Sequence, residues 1–105
     1  MPNLDFFISG QGPVILFLHG WGQNKEMMFS LVEGLKNKFK CVAIDMPGFG
    51  NSEFNDENNV DEYCKTIHDF LSITLKINPR YIVGHSFGGK VAVSYYLKYK
   101  NQNRL

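Results

Sequence analysis

The sequence predicts an α/β fold: a parallel sheet with flanking helices in three layers, helix on sheet on helix. Three observations carry this reading. Strand-like and helix-like segments alternate along the whole chain. The longest all-apolar run, Val14–Leu18, is continuous rather than alternating. Three glycine-rich segments each follow a strand-like run. Continuous apolarity marks a strand covered on both faces, as in a parallel sheet. Strands separated by helices imply right-handed crossovers between parallel neighbours. At 105 residues the chain has the length of one domain, and it contains no internal repeat or linker.

The elements follow in order. Residues 5–9 form a short apolar leading strand, stopped by the turn cluster Gly10-Gln11-Gly12-Pro13. Val14–Leu18 is the first long strand, expected between the other two because of its apolar continuity, and Gly20 ends its run. Met28, Leu31, Val32 and Leu35 then fall at i, i+3, i+4 and i+7, one face of a helix. Cys41, Val42, Ala43 and Ile44 form a second strand ended by Asp45. Residues 46–59, rich in Gly, Pro, Asn and Asp, read as a loop. Helical spacing resumes at Val60, Tyr63, Cys64, Ile67 and Leu71, with Leu75 one turn on, and Asn59 is placed to cap it. Pro79 stops that helix. Tyr81, Ile82 and Val83 form a third strand, and residues 91–97 a third helix, after which the tail from Lys98 turns polar and stops.

Composition removes several function classes. Eleven basic and ten acidic residues are interspersed, and the net charge of +1 leaves no basic patch for nucleic acid. The longest apolar run is far short of the ~20 residues a bilayer span needs. The first residues, Met1-Pro2-Asn3-Leu4-Asp5, lack a basic and then apolar leader, so the expected compartment is the cytoplasm. Cys41 and Cys64 lie on a strand and on a helix stripe, and are expected to be small buried hydrophobes. No metal or organic cofactor is implied, because no ligand set stands at a recognised spacing. The chain has neither Gly-x-x-x-x-Gly-Lys-Ser/Thr nor Gly-x-Gly-x-x-Gly, which argues against phosphate or nucleotide binding.

The chemistry is concentrated at strand ends. His19-Gly20-Trp21-Gly22, Asp45-Met46-Pro47-Gly48-Phe49-Gly50 and Gly84-His85-Ser86-Phe87-Gly88 each follow a strand, and ligands of open parallel sheets bind at the carboxyl ends of strands. The last segment is Gly-x-Ser-x-Gly between a strand and a helix, the context of a nucleophile elbow. A sharp turn there presents the Ser86 hydroxyl, while Gly84 and Gly88 leave room for neighbouring chain segments. The following helix points its N-terminus at the serine, where amides favour developing negative charge.

These three motifs, in this order and spacing, resemble the first half of an α/β-hydrolase-fold serine hydrolase, and the resemblance covers nearly the whole chain. It implies that Ser86 is the nucleophile and that the backbone N–H groups of Trp21 and Phe87 form the oxyanion hole. It implies a substrate pocket of His19, Gly20, Trp21, His85 and Phe87, with the rings of Trp21 and Phe87 against the acyl group. Gly84, Gly88, Asp45, Gly48 and Gly50 would be structural motif residues, with Asp45 anchoring the Pro-Gly loop. His19 would shape the oxyanion loop rather than act as a base, and His85, adjacent to Ser86 on a tight turn, diverges from it. His68 is expected at a helix boundary, and Lys90 in solvent.

In this fold the triad runs Ser, then Asp or Glu, then His. The 19 residues after Ser86 contain no Asp, Glu or His. The chain therefore reads as a single truncated hydrolase core spanning residues 1–105, its C-terminal half missing and its acid and base absent. A second polypeptide supplying that half is one expected partner; a small ester, thioester or related acyl compound is the expected substrate, hydrolysed through an acyl-serine intermediate. The alternative is a non-catalytic degenerate fragment or interaction module that keeps the turn only as scaffold.

Overall fold

The computed structural model describes residues 3–54 and 56–103. Four strands form one sheet: β1 (Phe6–Ser9), β2 (Val14–Leu18), β3 (Lys40–Ile44) and β4 (Tyr81–Gly84), in the order β1-β3-β2-β4. β2 pairs in parallel with both β3 and β4, so the most continuous apolar run lies between the other two long strands. Its Leu16, Phe17 and Leu18 are wholly buried. The leading strand departs from the parallel pattern: β1 runs antiparallel to β3, with Phe6 opposite Ile44 and Ser9 opposite Cys41. A parallel crossover needs a dozen or more residues. The four residues between β1 and β2 can only reverse the chain, so the sheet is mixed at that edge.

The helices cover both faces. A 3₁₀ turn (Lys25–Met28), capped by the Asn24 side chain, leads into α1 (Phe29–Leu35). Met28 and Val32 pack on Ile15, Phe17, Cys41 and Ala43, one face of the sheet. Leu31, expected on the same stripe, is instead 46% exposed, because the helix is short and its contact narrows to Met28 and Val32. α2 (Val60–Asp69) and α3 (Phe87–Asn103) cover the opposite face, where Leu16, Leu18, Val42 and Ile44 meet Ile67 and Val91. Burying each such aliphatic side chain contributes about 1.5–3 kcal/mol. The three-layer arrangement follows from the alternation of β2 and β3 side chains between these two clusters.

Asn59 caps α2, its Oδ1 accepting from the Glu62 N–H at 2.9 Å. The helix then widens into a π turn (Phe70–Leu75) that closes at Lys76 in the left-handed region, φ 56°. α3 continues well past residue 97, where the sequence turns polar. Tyr99 lies one turn beyond Tyr95 on the same face and stacks on His68 with ring centroids 3.8 Å apart, so the helix still meets the core there. Cys41 and Cys64 are free and fully buried, as expected of small hydrophobes, and burial pushes the Cys64 thiol up to about 11.

Candidate active site

Because β2, β3 and β4 are parallel and in register, Leu18 lies opposite both Ile44 and Gly84. Their carboxyl ends therefore share one sheet edge, and the three glycine-rich segments converge there. Ser86 stands between β4 and α3 with φ 57°, a left-handed conformation that costs a non-glycine residue roughly 1–2 kcal/mol. The turn is pinned on three sides. The His85 N–H donates to the Leu18 carbonyl at 3.1 Å, the Gly88 N–H to the His85 carbonyl at 2.9 Å, and the Gly89 N–H to the Ser86 carbonyl at 2.9 Å. Only glycine fits at either side. A Cβ on Gly84 would collide with the Gly88 carbonyl, and one on Gly88 with the carbonyls of Leu18 and His19. The closeness of β2 to the start of α3 thus forces the turn and leaves the Ser86 side exposed.

The segment after β2 folds over the same edge. The Gly20 N–H donates to Gln23 Oε1 at 3.0 Å, and the Gln23 N–H returns to the Gly20 carbonyl at 3.1 Å. Gly20 also lies against the His85 ring: a Cβ there would be 3.2 Å from Nδ1. The indole of Trp21 is 64% exposed and meets Phe87 edge-on at 5.1 Å and Phe49 at 4.9 Å. Phe87 in turn packs edge-on against Tyr63 at 5.3 Å. Among the described residues, the backbone N–H groups of Trp21 and Phe87 donate to no acceptor. Two donors are thus open, one on the residue after Ser86 and one on the segment after β2, whose Trp21 ring meets that of Phe87.

His19 sits beneath this surface, fully buried, rather than on it. Its Nε2 accepts the Met46 N–H at 2.9 Å, which obliges the other nitrogen, Nδ1, to carry the proton and donate it to the Gly20 carbonyl at 2.7 Å. The ring is a neutral brace between two of the three segments. Burial pushes its pKa below the ordinary value, outweighing the opposing pull of the Gly20 carbonyl and of Asp45. Of the expected pocket residues, Gly20 lies against His85 and Trp21 against Phe87, the two sequence neighbours of Ser86, while His19 is fully buried and bonded to Gly20 and Met46.

Asp45 anchors the Pro-Gly loop and does more. It is fully buried, its Oδ1 accepting the Lys25 N–H at 2.7 Å and its Oδ2 the Asn51 N–H at 3.0 Å. Gly50, at φ 54°, lies so close over the carboxylate that no side chain could fit. Gly48, at φ 84°, makes the preceding bend, and Ser52 Oγ bonds the Asp45 carbonyl at 2.5 Å. The Lys25 ammonium is nearly buried as well, 2.5 Å from Asp5, 3.1 Å from Glu26 and 3.3 Å from Asp45. Burial acts to lower its pKa, but the hydrogen bonds it donates to Asp5, Glu26 and Asp45 prevail and hold it above the usual lysine value. The same contact to Lys25 holds Asp5 below the usual carboxylate range.

Lys25, Gln23 and Tyr63 were not marked by any motif. The partners of Lys25 and Tyr63 are distant in sequence, and only the fold brings them together, whereas Gln23 bonds Gly20 three residues before it. His68 lies half-buried between α2 and α3, on Tyr99 and 3.4 Å from the Tyr95 hydroxyl, and Lys90 is exposed. Among the described residues no three His, Cys, Asp or Glu side chains converge as a metal would require, and no helix is long and apolar enough to cross a membrane.

A family model described as the alpha/beta hydrolase fold matches residues 13–105. Monoacylglycerol lipase ABHD6 of Bos taurus is 38% identical over 94 residues, covering 86% of this chain and 28% of its own length. The pimeloyl-(acyl-carrier protein) methyl ester esterase of Vibrio campbellii is 35% identical over 92 residues, covering 86% of this chain and 34% of its own. Among solved structures, a marine microorganism esterase superposes on 94% of this chain with a TM-score of 0.86 at 26% identity, using 38% of itself. A thermophilic esterase from Thermogutta terrifontis does so with a TM-score of 0.84 at 26% identity, over 94% of this chain and 37% of its own. The chain thus spans about a third of the length of the curated relatives it matches.

Proposed function

The chain belongs to the α/β-hydrolase fold family, and we propose that it carries the nucleophile and oxyanion hole of a serine hydrolase acting on small esters, thioesters or related acyl compounds. The observation that carries this reading is Ser86 itself, held at φ 57° on a strand-to-helix turn, with the N–H of the next residue, Phe87, left without an acceptor. Such strain in a non-glycine residue clusters where function requires it. The names of the relatives, a lipase and esterases, agree with it.

In this mechanism Ser86 Oγ attacks the substrate carbonyl carbon while a base takes its proton. The carbonyl oxygen becomes an oxyanion between the N–H groups of Trp21 and Phe87. The leaving alcohol or thiol departs with a proton, and the acyl group stays on Ser86. Water then attacks the acyl-serine and releases the acid. Trp21 and Phe87 offer their rings to the acyl chain. The base is not His19, whose two ring nitrogens are committed to Met46 and Gly20. Residues 87–105 hold no Asp, Glu or His, so acid and base come from a second polypeptide or from further chain. Without them, the oxyanion hole and binding alone leave about 10³–10⁴-fold acceleration over water.

The test is acylation of the 105-residue chain with p-nitrophenyl acetate, followed by peptide mapping. Acetyl is expected on Ser86 ahead of every lysine, slowly and without turnover. Acetyl spread over lysines with Ser86 bare would overturn the reading.

A further inference from the structure

We infer that Gln23 is a positioning residue of the oxyanion loop: it grips Gly20 from both sides and so fixes the direction in which the Trp21 N–H is offered. This role rests on the reading of Ser86 as a nucleophile and of the Trp21 N–H as an oxyanion donor.

Residues 20–23 form one β-turn after the end of β2. The Gln23 N–H donates to the Gly20 carbonyl at 3.1 Å, and Gly22, third in the turn, has φ 75°, as a type II turn requires. The Gln23 side chain returns to the same glycine. Its Oε1 accepts the Gly20 N–H at 3.0 Å. His19 Nδ1 is a second donor to the Gly20 carbonyl, at 2.7 Å. Both backbone polar groups of Gly20 are thus bonded. The N–H groups of Trp21 and Gly22 donate to no acceptor among the described residues.

The direction of the Trp21 N–H follows from these bonds. It shares one peptide plane with the Gly20 carbonyl, and in a trans peptide the two groups point opposite ways. With the carbonyl held toward Gln23 and His19, the Trp21 N–H is turned away from both. Bonds at the carbonyl alone leave that plane some freedom, because glycine, without a Cβ, turns about its own bonds more easily than any other residue. The side-chain bond on the Gly20 N–H holds the preceding peptide as well. Both planes that meet at the Gly20 Cα are therefore tied to one residue. Without that acceptor the Gly20 N–H would be a buried donor left unpaired, at a cost of about 1–3 kcal/mol, and the glycine would turn to find another. The glycine is itself part of the clamp. A Cβ on Gly20 would stand 2.5 Å from Gln23 Oε1 and 3.2 Å from His85 Nδ1, so only glycine admits the carboxamide here. His85 immediately precedes Ser86, which sets the clamp beside the nucleophile's turn.

The experiment uses the 105-residue chain and p-nitrophenyl acetate. Acetyl transfer to Ser86 is timed by mass spectrometry over a range of ester concentrations, and amide exchange at Gly20 and Trp21 is followed by NMR. In the unchanged chain the Gly20 amide is expected to exchange at least ~10-fold more slowly than that of Trp21. Gln23→Met, of similar length but without the acceptor, is expected to lose that protection. It is also expected to slow acetyl transfer at saturating ester at least ~10-fold, part of the roughly 10²–10³-fold that loss of a whole oxyanion donor costs. The half-saturating concentration should stay within ~2-fold, because the interaction lost is made in the transition state. Gln23→Glu keeps an acceptor oxygen, so it is expected to retain Gly20 protection and to recover at least ~3-fold of the lost rate. Gly20→Ala, whose methyl displaces the carboxamide, is expected to slow transfer as well, yet to add less than ~3-fold on top of Gln23→Met. Fast exchange at Gly20 in the unchanged chain would overturn the role of Gln23 without any variant having to fold. So would undiminished acetylation of folded Gln23→Met, or a change in its half-saturating concentration alone. Gly20 protection that Gln23→Met abolishes, in a chain whose Ser86 takes no acetyl, would leave the clamp standing and defeat the nucleophile reading instead.

Discussion

Replacing Asp45 by Asn removes one negative charge and changes almost no volume, so its cost isolates the electrostatics beneath the site. The carboxylate accepts the Lys25 N–H at 2.7 Å, the Asn51 N–H at 3.0 Å and the Lys25 ammonium at 3.3 Å, all while fully buried. A carboxamide has one acceptor oxygen, and its NH₂ must face at least one of these donors. A buried donor left unsatisfied costs about 1–3 kcal/mol. Removing the only partner of a buried ion costs about 3–5 kcal/mol. Lys25 keeps Asp5 and Glu26, so that second cost applies only in part. The sum is about 2–4 kcal/mol, a large share of the roughly 5–15 kcal/mol that holds a small domain folded. Asp5→Asn is the control: its side chain is 41% exposed, solvent screens the pair, and the expected cost is about 1 kcal/mol or less. Equilibrium urea unfolding followed by far-ultraviolet circular dichroism measures both. An Asp45→Asn cost below about 1 kcal/mol, or one equal to that of Asp5→Asn, would refute the assignment of Asp45 as the buried hub.

Ser86→Gly is expected to stabilise the fold by about 1 kcal/mol in urea unfolding, since glycine adopts φ 57° freely, whereas Ser86→Ala is expected to leave stability unchanged. Gly88→Ala is expected to destabilise by about 2–3 kcal/mol or more, because its methyl meets the backbone carbonyls of Leu18 and His19 and neither can yield without separating β2 from α3. Burial lowers the pKa of His19, and of His68, in the folded chain, so the unfolded chain binds more protons below about 6.5. Urea stability is therefore expected to fall as pH drops from 7 to 5, by up to about 1.4 kcal/mol per pH unit for each histidine, and His19→Asn should remove its share; a flat profile would contradict the neutral brace. Turnover of p-nitrophenyl acetate by the 105-residue chain at ordinary enzyme rates, lost in Ser86→Ala, would mean that one of His19, His68 or His85 serves as base after all.

What could be read from the sequence was whatever depends on neighbours within a few residues. The three parallel strands, the central place of Val14–Leu18, the Asn59 cap and the convergence of three glycine-rich segments all rest on local pattern, and the structure bears them out. The direction of β1 was not legible, because the apolar pattern of a four-residue strand is the same in either direction; the short connection decides it. The end of α3 was missed for a related reason. Lys98 and Lys100 look like a stop, yet Tyr99 between them carries the buried face onward. The Lys25–Asp45 pair spans twenty residues of sequence, and no periodicity links a lysine in one loop to an aspartate at the end of a distant strand. The surroundings of Ser86 were thus foreseen as motifs, while the groups that hold those motifs in place were not.

Those hidden groups explain why the site can be strained at all. The described residues bury five polar or charged side chains, and three of them, His19, Lys25 and Asp45, lie beneath the segments that follow β2 and β3. Two of them serve backbone atoms of those segments, His19 at Gly20 and Met46 and Asp45 at Lys25 and Asn51, while the Lys25 ammonium ties the Asp45 carboxylate to those of Asp5 and Glu26. Loops that curve over a sheet edge cannot pair their N–H and C=O groups in a ladder, so side chains must satisfy them from within. An apolar core there would leave the loops free to relax, and the Trp21 amide could turn toward the nearest carbonyl. A buried polar frame fixes the loop backbone, so the Trp21 amide stays without an acceptor of its own. The roughly 1–2 kcal/mol held in Ser86 at φ 57° is comparable to one buried polar link, at about 0.5–3 kcal/mol, and small against several together, so the fold can keep the strained residue.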